Sequence, residues 1–233
     1  MVDTYTMLLW VKPNEDDIEI QTKQVYNLLS ILSKVNYLRP KYLTASNKKN
    51  VTEFELSFEN VKKLITRKKD KQFSDLGSRL SFFTSLNDSE SVGISITVGV
   101  SNPKFLNSLV INFNIDIKKQ KNTSFNELAN VFKELINACT PFYGCFTCKS
   151  NRNMFNGYYN DGFNIPNSIF DLNFWGKNVI SKLAVNEEIL SKMYEYEKIK
   201  GGYYIRLQKN PIDTTNTQHM EFQKQVNCMM GIN

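Results

Sequence analysis

Histidine occurs once in this chain, as His219, and cysteine only four times in 233 residues. A metal site built on imidazoles is therefore excluded, and a zinc site would have to recruit Cys139 and Cys228 beside Cys145 and Cys148. Four cysteines in a chain of this length do not suggest a secreted disulfide scaffold, so reduced thiols are expected. No run approaches the roughly 20 apolar residues that a membrane-spanning helix requires. The opening MVDTYTMLLWVKP carries Asp3 where a signal peptide carries basic residues, and its apolar run is short. These absences point to the cytoplasm and exclude a membrane partner. Also absent are Gly-x-x-x-x-Gly-Lys, Gly-x-Gly-x-x-Gly and Gly-x-Ser-x-Gly, the signatures of phosphate-binding loops and of a common serine nucleophile. The expectation is a protein without catalysis, cofactor or metal.

What remains is ordinary globular material. Hydrophobic residues make up 41% and charged residues 22%, enough to build a substantial core. The formal charge is +6 and the pI about 9.0, which suits an acidic partner or a nucleic-acid backbone. Much of that charge sits in Arg67-Lys68-Lys69 and Lys118-Lys119-Gln120-Lys121, runs typical of solvated helix ends and loops. Nucleic acid is not the favoured partner.

Residues 76–115 contain the clearest pattern. Ile94, Ile96, Val98 and Val100 alternate with Ser95, Thr97 and Gly99, which spells a strand with one buried face. Leu109, Ile111, Phe113 and Ile115 repeat the pattern, and Leu80, Phe82, Thr84 and Leu86 follow it less cleanly. Asn87-Asp88-Ser89-Glu90 and Ser101-Asn102-Pro103-Lys104 mark the turns between them. Further strands are expected at 4–12, 142–148, 170–174, 194–199 and 203–208, the last two joined across Lys200-Gly201-Gly202 as a hairpin. Phe54 and Leu56 suggest a brief extended piece.

Helical spacing places amphipathic helices over 17–36, with Val25, Leu28, Leu29, Leu32 and Val35 inward, and after Ser57, with Val61, Leu64 and Ile65 inward. Ser124-Phe125-Asn126-Glu127 fits a capping box, opening a helix to about 139. Shorter helical pieces follow Trp175-Gly176 and at 187–193, and a terminal helix over 217–230 should turn Phe222, Val226 and Met229 inward. The fold class is α+β: a mainly antiparallel sheet of about six to eight strands with helices packed against it, in a single domain over 1–233.

Residues 149–168 lack periodicity and concentrate aromatic side chains. A long irregular connection in a compact domain is often functional, and aromatics on a loop make good anchors for a partner. Arg152, Phe155, Tyr158, Tyr159, Asp161 and Phe163 are the candidate partner-binding residues. The alternative is that these rings fold back over the core.

Two chemical readings stand beside this one. Cys145-Phe-Thr-Cys148 follows a helix and reads as a strand, so its sulfurs should diverge, unlike a redox pair at a helix start. His219 near a helix start, with Asp213 six residues before it, suits a capping or packing role. A nucleic-acid-binding protein using Lys48-Lys49 and the runs at 67–71 and 118–121 is the competing functional class.

Several segments, in order, carry a family resemblance: LGSRLSFFTSL at 76–86, GISITVG at 93–99, NSLVI at 107–111, Phe174-Trp175-Gly176 with Ile180 and Leu183, and GGYYI at 201–205 leading to Pro211-Ile212-Asp213. The set resembles bacterial polymorphic-toxin immunity proteins, most nearly the immunity protein 52 family, and more loosely type VI secretion immunity proteins. The resemblance runs from about residue 5 to 225. It implies a cytoplasmic α+β protein that binds a cognate toxin domain encoded by a neighbouring gene and occludes its active site, with no cofactor. A protein that mimicked nucleic acid to block a nuclease should be acidic. This basic chain therefore implies an acidic toxin surface or a different mode of blocking.

Overall fold

Ten strands, mainly antiparallel, and seven α-helices make up the computed structural model, which describes residues 3–13, 17–44, 51–69, 71–113, 124–159 and 165–232. The α+β class is as expected, and two more strands are present than the upper expected count. The chain divides into two compact units, Met1–Met7 with Asp116–Asn233, and Leu8–Ile115. Strand β1 (Tyr5–Val11) contributes to both.

In the Leu8–Ile115 unit the strands run β3-β2-β4-β5-β6, with β1 beside β6. Strands β4 (Ser78–Phe83), β5 (Val92–Val98) and β6 (Asn107–Phe113) are the three read from alternation. Their register aligns Leu80 with Ile96 and Leu109, and Phe82 with Ile94 and Ile111. Those six side chains are all buried, each contributing about 1.5–3 kcal/mol of apolar burial. Strand β4 stops at Phe83, so Leu86 is exposed instead of continuing the inward row, and Ile115 lies outside the described residues. The two added strands, β2 (Tyr42–Leu43) and β3 (Thr52–Glu53), are two residues each. The brief extended piece is therefore at Thr52–Glu53, just before Phe54 and Leu56.

Helices α1 (Ile18–Ser33) and α2 (Phe58–Lys68) bury Val25, Leu28, Leu29 and Leu32, and Val61, Leu64 and Ile65. The Asp17 carboxylate accepts the N–H groups of Glu19 and Ile20 at 2.8 and 3.1 Å, and Ser57 Oγ accepts that of Asn60 at 3.2 Å. Gly99 adopts φ +76°, and a Cβ there would sit 2.6 Å from the buried Gln21 side chain. The positive φ favours glycine at that position, and any side chain there would have to displace Gln21.

The other unit orders its strands β1-β7-β8-β10-β9, with β7 Tyr143–Cys148, β8 Leu172–Trp175, β9 Glu195–Ile199 and β10 Gly202–Arg206. Lys200 and Gly201 both adopt positive φ (49° and 73°), the geometry of the tight hairpin turn that matches strand twist. Helix α3 (Phe125–Cys139) starts at Ser124, whose Oγ accepts the Glu127 N–H at 3.0 Å. Its predicted face is buried in full: Phe125, Leu128, Phe132, Leu135, Ile136 and Cys139. Phe125 lies 5.9 Å from Phe146, and Phe132 lies 6.3 Å from Tyr204.

Two expectations need correction in this unit. Residues 149–154 are not irregular: Lys149–Met154 is a helix, α4, followed later by α5 (Lys177–Ile180) and α6 (Glu187–Leu190). The terminal helix α7 spans Thr217–Met230 as expected, but it buries Gln223, Val226, Asn227 and Met230, while Phe222 and Met229 are half-buried. The physical reason is a polar clamp. Gln223 Nε2 donates to the Ile169 carbonyl (2.6 Å) and Ser168 Oγ (3.1 Å), and Asn227 Oδ1 accepts the Ile169 N–H (2.8 Å). A buried amide is tolerated where its hydrogen bonds are made, as at both ends of Asn227 and at Gln223 Nε2.

Candidate functional site

Helix α4 projects from the end of β7, and the N-terminal segment secures it. The Lys149 N–H donates to the Thr4 carbonyl at 2.8 Å, and that of Ser150 to Asp3 Oδ1 at 3.2 Å. Asn156 (φ 58°) and Gly157 (φ 115°) then turn the chain back, and Tyr159 forms an isolated bridge with Pro166.

Four of the six candidate residues lie in this described segment, and Asp161 and Phe163 fall outside the described residues. The structure brings Arg152 and Tyr158 together: the guanidinium lies 5.3 Å from the ring centroid and donates to the phenol oxygen at 3.3 Å. Tyr158 also meets Phe170 edge-on at 6.1 Å, and Tyr159 meets the buried Tyr143 edge-on at 5.0 Å. The Tyr143 hydroxyl donates to the Tyr158 carbonyl at 3.2 Å. Both tyrosines and Phe155 are half-buried. Burial pushes the Tyr158 phenol up and the Tyr159 phenol up to about 12, so both act as neutral hydroxyls. These rings therefore cap the core with one side and meet solvent with the other. These contacts hold Arg152, Tyr158 and Tyr159 against neighbouring side chains.

Beneath these rings, Cys145 and Cys148 lie buried on β7. Desolvation pushes the Cys145 thiol up to about 12 and the Cys148 thiol higher still, with the Asp171 carboxylate adding to both. A redox or metal-binding cysteine needs the opposite shift. His219 uses Nδ1 to accept the Asp213 N–H at 3.0 Å, while the Asp213 carboxylate accepts from the Thr215 hydroxyl at 2.8 Å. This is local capping geometry. Among the described residues, no group of three His, Cys, Asp or Glu is placed to hold a metal ion, and no helix is long and apolar enough to cross a membrane.

Sequence reasoning missed the clefts of the Leu8–Ile115 unit. One, of about 740 Å³, opens beside β2 and β3 between Arg39, Lys41, Tyr42 and the Glu53–Leu56 segment. A second, of about 390 Å³, is lined by Leu43, Leu64 and Leu80 with Arg67, Lys68 and Arg79. The Arg67-Lys68 run was visible as a helix end. Arg79 carried no signal of its own, being one polar position in an alternating strand. Lys48, Lys49 and residues 118–121 lie outside the described residues.

No family model matches the chain, that of immunity protein 52 included, and no curated protein matches it. Among solved structures, it is similar to the Pseudomonas aeruginosa T6SS protein PA0821, with a TM-score of 0.64 at 10% identity. The likeness covers 98% of this chain and 76% of that one. At such identity it is a likeness of fold.

Proposed function

We propose that this chain is an immunity protein of interbacterial competition, which binds a cognate toxin domain encoded by a neighbouring gene and blocks it by occlusion, without catalysis. The observation that carries the reading is the fold shared with a T6SS protein across 98% of the chain. It agrees in direction with the sequence resemblance to toxin immunity proteins. The Arg152–Tyr158 pair on α4 and the turn after it supports the same reading, because arginine and tyrosine are enriched at binding hot spots. The net charge of +6 favours a toxin surface with acidic character.

Co-expression tests this directly. Cells producing the toxin domain encoded next to this gene should grow when the chain is supplied, and the two proteins should co-purify. Continued growth arrest, with no co-purification, refutes the proposal. Turnover of a substrate by the purified chain alone refutes its non-catalytic part.

A further inference from the structure

The cleft between α2 and β4 combines three features. Its floor is aliphatic, from Leu43, Leu64 and Leu80. Its rim carries Arg67 and Lys68 from the last turn of α2, and Arg79 from β4, all three exposed. Among the described residues that line it there is no carboxylate. No ion pair among the described residues engages these three cations; Arg79 donates only to Ser95 Oγ at 3.2 Å. By contrast, Lys62 on the same helix is paired with Glu19, and Lys133 in the other unit with Glu195 and Glu197. Cations gathered around an apolar floor and engaged in no ion pair raise the local positive potential.

We infer that this cleft is the contact surface for an acidic, aliphatic-bearing segment of the toxin domain, an inference that rests on the reading above. Carboxylates of the segment pair with Arg67, Lys68 and Arg79, and an apolar side chain covers Leu43 and Leu64. A protein segment fits better than nucleic acid for two reasons. Among the described residues lining the cleft there is no aromatic side chain on which a base would stack. The adjoining cleft, which shares Leu43, Leu64 and Arg67, adds Phe54 with Glu53 and Glu55; these carboxylates would repel a continuous phosphate backbone, whereas a protein segment can confine its own carboxylates to the basic cleft. A protein surface of mixed charge meets both.

Calorimetric titration of the full chain with the purified toxin domain from the neighbouring gene decides the matter. Wild type should bind with an affinity that falls as salt rises. The reversal R67E/K68E should weaken binding by about tenfold or more, as loss of paired interface charges does. The neutral triple R67Q/K68Q/R79Q should weaken it in the same direction, and its thermal midpoint separates lost contacts from lost folding. If wild type binds and both variants bind equally well, the cleft is not the contact surface, although the immunity reading stands. If wild type fails to bind, both fall. Retention of a mixed-sequence DNA duplex by wild type that R67E/K68E abolishes assigns the cleft to nucleic acid and overturns the inference.

Discussion

Raising the pH from 8 to 10 should strip this protein of a large part of its stability, and the buried thiols set the size of the loss. Cys139 and Cys145 are pushed from an ordinary 9.0 to about 12, and Cys148 further, each chiefly by desolvation. Above pH 9 the unfolded chain releases these protons while the folded chain keeps them. The folded state then holds more protons than the unfolded one, so stability falls as pH rises. Between pH 8 and 10 each thiol moves the balance by about one pH unit, or about 1.4 kcal/mol, and the three together by about 4 kcal/mol. Tyr143 and Tyr204, both raised by burial, add in the same direction from pH 10 upward. Against a typical total of about 5–15 kcal/mol, that is a change no melt could miss. Guanidinium melts at the two pH values, with a phosphine reductant present, measure it. Cys145→Ala should shrink the difference by about 1.4 kcal/mol, whatever it does to stability at pH 8. Equal stability at pH 8 and 10 would show that the three thiols are not desolvated as described.

A chromogenic disulfide reagent should titrate one thiol quickly in the native protein, the exposed Cys228, and all four in guanidinium; two fast native thiols would contradict the burial of β7 or α3. Tyr158→Phe removes only the oxygen, which hydrogen-bonds to Arg152 and to the Thr6 side chain, and should cost about 1 kcal/mol, whereas Tyr158→Ala also removes the ring against Phe170 and should cost about 1–3 kcal/mol. The phenylalanine variant is therefore the one in which a loss of toxin affinity can be read, and equal melts for the two variants would mean the ring bears no packing. At Gly202 an added Cβ would sit 2.4 Å from the Trp175 carbonyl oxygen and 2.8 Å from Phe174 Cζ, so Gly202→Ala should lower stability by more than about 2 kcal/mol; a wild-type melt would refute that close approach.

Much of the scaffold was legible because its signals are local. Alternation at Ile94, Ile96 and Val98, the Ser124–Glu127 cap and the Lys200-Gly201 turn each fix a conformation without help from distant residues. The features that escaped are those whose cause lies elsewhere in the chain. Lys-Ser-Asn-Arg-Asn-Met has no apolar period, and its first turn is held by Thr4 and Asp3, some 145 residues earlier in sequence. A two-residue strand such as β2 is too short to show a period at all; Tyr42 and Leu43 are extended because Phe83 and Phe82 pair with them. On α7, apolarity points to Phe222 and Met229, yet the buried face turns toward Gln223 and Asn227, because the backbone of Ile169 needs a donor and an acceptor there.

The same distinction governs the two candidate surfaces. An aromatic loop advertises itself in sequence, so Arg152, Phe155, Tyr158 and Tyr159 could be named before their neighbours were known. Once placed, Tyr158 and Tyr159 are partly consumed by contacts with Phe170 and Tyr143, which leaves only their outer edges for a partner. Arg67 and Lys68 have the reverse history. The helix dipole accounts for cations in the last turn of α2 so well that their charge carried no further meaning. Arg79 alters that, because a dipole at the end of α2 gives no reason for a third cation on β4 to line the same cleft. Three cations converging from two elements, with no carboxylate among the described residues that line their shared cleft, suit a counter-charge from outside the chain.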